Sequence, residues 1–209
     1  MKIPCLVRFP SRVSIASTVA LAALLSLAGC GSPPKITYYT LAPSAYGTSM
    51  VAARETALVS IAVGPVTLPD LVDRPQLVVR SAENQVALLD QHRWAEPLKR
   101  QIPRVLAGHL SRLLGTPRVS VYPAGTGLSG DLRVRVDIQR FESVPGSEVM
   151  LEAFWSITPP GGEARLGRST LRVPVAETGY AALVAAHGVA LQRLSEELAE
   201  SIRARRTAL

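Results

Sequence analysis

The sequence has little cysteine, lysine or histidine, and each shortage excludes something. Its 209 residues hold two cysteines, Cys5 and Cys30, and three lysines, Lys2, Lys35 and Lys99; every other basic residue is arginine. His92, His109 and His187 are scattered, with none of the His-x-x-x-His or carboxylate-histidine spacings that build a metal site. Aromatic residues are 5% of the chain and do not interleave with basic ones, so a nucleic-acid partner is not expected. No apolar run reaches the roughly 20 residues that a helix needs to cross a hydrocarbon core. There is no internal repeat.

What is present is a leader. Lys2, Arg8 and Arg12 stand without any acid, and an uncharged stretch rich in Ala, Leu, Val and Ser follows from Val13 to Leu27. That is the charged, then apolar, order of a signal peptide. Leu27-Ala28-Gly29-Cys30 resembles the lipobox of bacterial lipoproteins, whose small residues admit a peptidase just before a cysteine that carries lipid. Residues 1–29 are therefore expected to be removed. Cys30 is expected to become the first residue, bearing a diacylglycerol and an N-acyl chain, with 30–35 as tether and 36–209 as folded domain. Cys5 leaves with the leader, which excludes a disulfide within the mature chain and a thiol metal site. The leader holds three of the 23 Lys+Arg and none of the 16 Asp+Glu, so the mature net charge is +4. Position 31 is Gly, not the Asp that keeps enterobacterial lipoproteins in the inner membrane. By that resemblance the domain faces the periplasm from the outer membrane. From Cys30 to Lys35 the tether spans roughly 15–18 Å at most, which keeps the domain near the membrane.

The mature part reads as one α+β domain, a mostly antiparallel, mixed β-sheet with two long helices packed on it. Ile36 to Leu41 is a strand by composition, Pro43 to Glu55 a loop. Ala57 to Val66 forms a central strand closed by Pro65, and Leu77–Arg80 and Val86–Asp90 flank a turn at Ala82–Gln85. From Trp94, apolar residues recur every three or four positions through Leu114. Pro97 suits the first helical turn, Pro103 predicts a kink, and Gly115-Thr116-Pro117 stops the helix. Arg118–Tyr122 is a short strand. Three alternating strands follow as a meander, with a bulge where Phe141 breaks parity. Tyr180–Arg206 is the closing helix, its cations placed where the helix dipole favours them.

Candidate chemistry is thin. Gly125-Thr126-Gly127-Leu128-Ser129-Gly130 has dinucleotide-binding spacing but is followed by a strand, which makes it a turn. Ser32-Pro33-Pro34-Lys35 matches a Ser-x-x-Lys motif, yet its prolines forbid the helical turn that motif needs. His109, on the apolar stripe, reads as a partly buried side chain. His92 precedes Glu96 by one helical turn, a spacing that more often gives a surface or capping contact than an acid-base pair. No serine-histidine-acid constellation follows from turn signatures. Two segments stand out instead, Leu71-Val72-Asp73-Arg74-Pro75-Gln76 and Arg93-Trp94-Ala95-Glu96-Pro97-Leu98. As a partner surface they would offer Leu71, Asp73, Arg74, Pro75, Gln76, Arg93, Trp94 and Glu96, since Trp and Arg are frequent interface anchors. As structure, Trp94 would fill the core while Arg74 or Arg93 pairs with Asp73 or Glu96.

These two segments, with Tyr38-Tyr39-Thr40-Leu41 before them, resemble the PqiC/YmbA family of ABC transport auxiliary lipoproteins. The order and spacing agree, and the likeness covers essentially the whole mature chain. The resemblance implies a non-enzymatic protein without cofactor, anchored by Cys30 at the periplasmic face of the outer membrane. It further implies a partner carrying MCE domains, which belongs to an ABC system moving lipid or other hydrophobic molecules between membranes, and a ring of identical subunits. The reading from a different class is a structural or assembly lipoprotein of the envelope without a transport role.

Overall fold

The chain path is set by where apolar residues must alternate and where they must recur every turn. A computed structural model describes residues 34–41, 60–123, 131–175 and 177–207, and the fold lies in one compact unit, Ile36–Leu209. The expected loop at 43–55, the glycine-rich 125–130 segment and the lipobox residues Leu27, Ala28, Gly29 and Cys30 lie outside the described residues.

The elements are β1 (Thr37–Tyr39), β2 (Ile61–Thr67), β3 (Gln76–Ala82), β4 (Gln85–Trp94), α1 (Leu98–Leu114), β5 (Val119–Val121), β6 (Leu132–Val144), β7 (Glu148–Thr158), β8 (Arg165–Pro174) and α2 (Tyr180–Thr207). The α+β class holds, and the strands divide into two sheets, β1-β4-β3 and β5-β2-β6-β7-β8. β6, β7 and β8 form the expected antiparallel meander. β1 runs parallel to β4, and β2 runs parallel to both β5 and β6.

Two boundaries differ from the sequence pattern. β2 continues through Pro65 to Thr67, because the proline falls where the register against β6 shifts between Val63 and Val66 and no ladder N–H is needed. Next to it Gly64 has φ 128°, and a Cβ there would lie 3.2 Å from the Tyr122 carbonyl oxygen. Trp94 ends β4 instead of opening the helix, which starts four residues later behind Pro97. The Pro97 carbonyl accepts from Arg100 N and Gln101 N, so the proline stands at the cap with no N–H to satisfy. α1 runs on through Pro103 and ends where Gly115 turns left-handed, φ 63°, closing onto the Ser111 and Arg112 carbonyls.

Both helices lie on one face of the five-stranded sheet, α1 over β2 and β5 and α2 over β7 and β8. Ile102, Leu106 and Leu110 of α1 and Leu183, Ala190, Leu191, Leu194 and Leu198 of α2 are buried with Val134, Val136, Ile138, Val149, Leu151 and Ile157 beneath them. The register of β6 against β7 shifts between Ile138 and Arg140, which turns Phe141 and Ser143 inward, as the parity break requires. Opposite the helices, Arg135, Asp137, Phe154 and Leu166 are exposed.

Candidate docking surfaces

The three segments singled out in the sequence meet at one end of the three-stranded sheet. Tyr38 and Tyr39 pair with Arg93 and Trp94, Gln76 lies opposite Arg93, and Trp94 N donates to the Pro75 carbonyl at 2.7 Å. Ala95 N donates to the Tyr39 carbonyl at 2.8 Å. Gln101 fastens the corner from α1, its amide donating to the Glu96 carbonyl while its oxygen accepts from Leu41 N. Motifs about 20 to 55 residues apart thus form one backbone knot.

Their side chains split into two groups. Trp94 is 5% exposed and belongs to the core, so the contact-anchor reading of this residue is corrected by its burial. The anticipated pairs also differ. Asp73 pairs with Lys99 at 2.5 Å, Glu96 with Arg104, and Arg93 donates to the Asp90 carbonyl at 2.8 Å. Arg74 reaches only the Asp70 carbonyl, at 3.4 Å, and its buried Nε has no partner among the described residues. His92 belongs to a strand, one helical turn from nothing; its Nδ1 lies 2.9 Å from Tyr39 Oη, and its ring is 4.2 Å from that of Tyr180. Burial, then the neighbouring Tyr180, pushes the Tyr39 phenol above its ordinary value. What remains open to a partner is an apolar rim of Tyr38 (61% exposed), Leu71 (37%), Pro75 and Pro97, bordered by charges that already have partners.

Two serine-histidine contacts escaped the sequence patterns. Ser143 Oγ lies 2.6 Å from His187 Nε2, and Ser195 Oγ lies 3.3 Å from His109 Nδ1. Neither resembles a working nucleophile and base. All four residues are buried, burial pushes His187 down to about 3, and Ser195 donates to the Leu191 carbonyl. Such contacts satisfy polar groups inside a core.

A second surface, also missed, lies on the open face of the five-stranded sheet. Phe154 is 49% and Leu166 75% exposed, and with Pro65, Thr67, Arg135 and Ser156 they line a shallow groove of about 560 Å³. Arg168 lies over the Phe154 ring, 5.5 Å from its centroid. The signal was there to find. Phe154 is out of phase with Val149, Leu151, Ala153 and Ile157, so a large apolar residue stands where the alternation calls for a polar one.

A family model described as "ABC-type transport auxiliary lipoprotein component" matches residues 39–199. The chain resembles the crystal structure of an uncharacterized protein, at 19% identity and TM-score 0.65, covering 80% of this chain and 99% of that one. It also resembles a crystal structure from Xanthomonas campestris, at 18% identity and TM-score 0.56, covering 78% of this chain and 92% of that one. No curated protein matches. At these identities the two structural likenesses speak for the fold.

Proposed function

The chain belongs to the family of ABC-type transport auxiliary lipoprotein components, and from that membership we propose that it is a lipid-anchored, non-catalytic docking subunit of such a transport system. In this reading Cys30 carries the acyl chains at the periplasmic face of the outer membrane. The partner is an MCE-domain protein of an ABC system that moves lipid or another hydrophobic solute between membranes and maintains envelope integrity, with a ring of identical subunits as the form in which it docks.

The observation that carries the reading is the family match, which spans the Tyr39, Leu71–Gln76 and Arg93–Leu98 segments that fold into one surface. The rim of Tyr38, Leu71 and Pro75 supports a protein contact, since it is apolar, exposed and held on a rigid knot of backbone. Photo-crosslinking from Leu71 and Tyr38 in the intact envelope tests it. Capture of an MCE-domain protein is expected, together with raised permeability and altered lipid asymmetry on deletion of the gene. Capture of structural envelope proteins alone, with lipid asymmetry unchanged, would favour an assembly lipoprotein instead.

A further inference from the structure

The outward faces of β6, β7 and β8 carry more cations than their carboxylates neutralise. Arg140 pairs with Glu142 and Glu152, Arg168 with Glu152, and Arg172 with Glu148. Arg133 lies over the Tyr122 ring at 4.2 Å. Asp137, the one acid in the groove, accepts hydrogen bonds from Thr67 Oγ1 and Gln139 Nε2. Arg135 is the cation lining the groove and has no hydrogen-bond or ion-pair partner among the described residues; its strand neighbour across the sheet is Ser156, which borders the same groove. Away from Arg135 the lining turns apolar through Phe154, Leu166 and Pro65.

We infer that this groove binds one phospholipid, its phosphate at Arg135 and Ser156 and an acyl chain along Phe154 and Leu166. The chemistry matches in both parts. A guanidinium without a carboxylate is suited to a phosphate, which it can hold by two parallel hydrogen bonds. Phe154 and Leu166 expose apolar surface that is removed from water only when something covers it. The inference rests on the proposed membrane anchor in one respect, because a short tether from Cys30 keeps phospholipid at high local concentration.

The test uses the lipidated chain in detergent micelles, with native mass spectrometry counting phosphatidylglycerol against diacylglycerol of the same acyl chains, which lacks the phosphate. One phosphatidylglycerol should be retained about tenfold over diacylglycerol. Arg135→Glu should bring retention down to the diacylglycerol level, Arg135→Lys should keep most of it, and Leu166→Asp should weaken both lipids. Inorganic phosphate should not displace the lipid, since it lacks the acyl part. Equal retention of the two lipids, an unchanged Arg135→Glu variant, displacement by phosphate alone, or photo-crosslinks from Leu166 that reach only protein would each overturn the inference. The docking reading is measured separately, by the crosslinks from Leu71, and stands or falls without this result.

Discussion

His187 is wedged between the rings of Phe141 and Trp94, with Nε2 on Ser143 and Nδ1 unpartnered among the described residues. Burial withholds the water that would solvate an imidazolium, which pushes its pKa from 6.5 to about 3. His109 moves the same way, through burial first and the Arg112 charge second. Below about pH 6.5 the unfolded chain therefore takes up a proton at His187 that the folded chain refuses until the pH nears 3. Stability rises with pH wherever the unfolded state binds more protons, so here it falls on acidification. From His187 alone, about 2 kcal/mol should be lost between pH 7 and pH 5. Denaturant unfolding at those two pH values measures the loss. The double variant Ser143→Ala/His187→Leu, which leaves no orphaned partner, should flatten the slope; an undiminished slope would assign the acid sensitivity elsewhere. The sequence singled out the segment around Trp94 and offered the core as one place for its indole, where it lies, but not the partners of the charges beside it. Which acid meets Arg74 or Arg93 depends on the backbone path, and that path set Lys99 on Asp73 and Arg104 on Glu96 instead.

Among the elements, β7 and β8 are locked by one crossing. Trp155 stands opposite Gly167, and a Cβ on Gly167 would lie 2.1 Å from the indole Cζ2. The ring passes over the glycine to place its Nε1 3.0 Å from Ser169 Oγ, which in turn donates to Glu197 of α2. Gly167→Ala must therefore expel the indole and break a chain that ties edge strand to helix. A loss of about 2–4 kcal/mol is expected, in the range of overpacking plus a lost buried hydrogen bond. Combined with Trp155→Leu the same substitution should cost much less, a coupling that a double-mutant cycle reads directly; simple additivity would show that the contact does not matter. Element identity was largely legible, because alternation and helical stripes are local signals: the hairpin of β3 and β4, the meander and α2 all follow from them. Strand direction was not. The parallel pairing of β2 with β5 and β6 joins residues about 60–70 positions apart, which no local period encodes. The groove on the open face was legible in part, through the misphased Phe154, while the isolation of Arg135 needed the register of three strands.

At the scale of the whole molecule the two sheets are joined through β6, whose 13 residues include the segment that meets β3. Among the described residues one ion pair crosses that junction. Arg80 of β3 donates through Nε at 3.0 Å and Nη2 at 2.7 Å to the two oxygens of Glu142 on β6, a bidentate fork, and Arg140 adds a third contact at 3.1 Å. The Arg80 hydrogen bond is the largest influence holding the Glu142 carboxyl below its ordinary range, ahead of the opposing effect of burial. A depressed carboxylate stabilises the fold above its unfolded pKa, and the contribution is lost as pH falls through the folded value. The junction should therefore weaken below about pH 4.5, adding to the histidine effect that begins higher. Glu142→Gln should cost about 1–3 kcal/mol, because it leaves the half-buried Arg80 guanidinium with a neutral partner. Replacing both by methionine should restore much of that loss, since apolar side chains of similar length fill the same space without a stranded charge. Urea unfolding of the single and double variants decides it. If Glu142→Gln is as stable as the parent protein, the sheets are held together by the packing of Leu77, Trp94 and Phe141 alone, and the fork across the junction is only a surface contact.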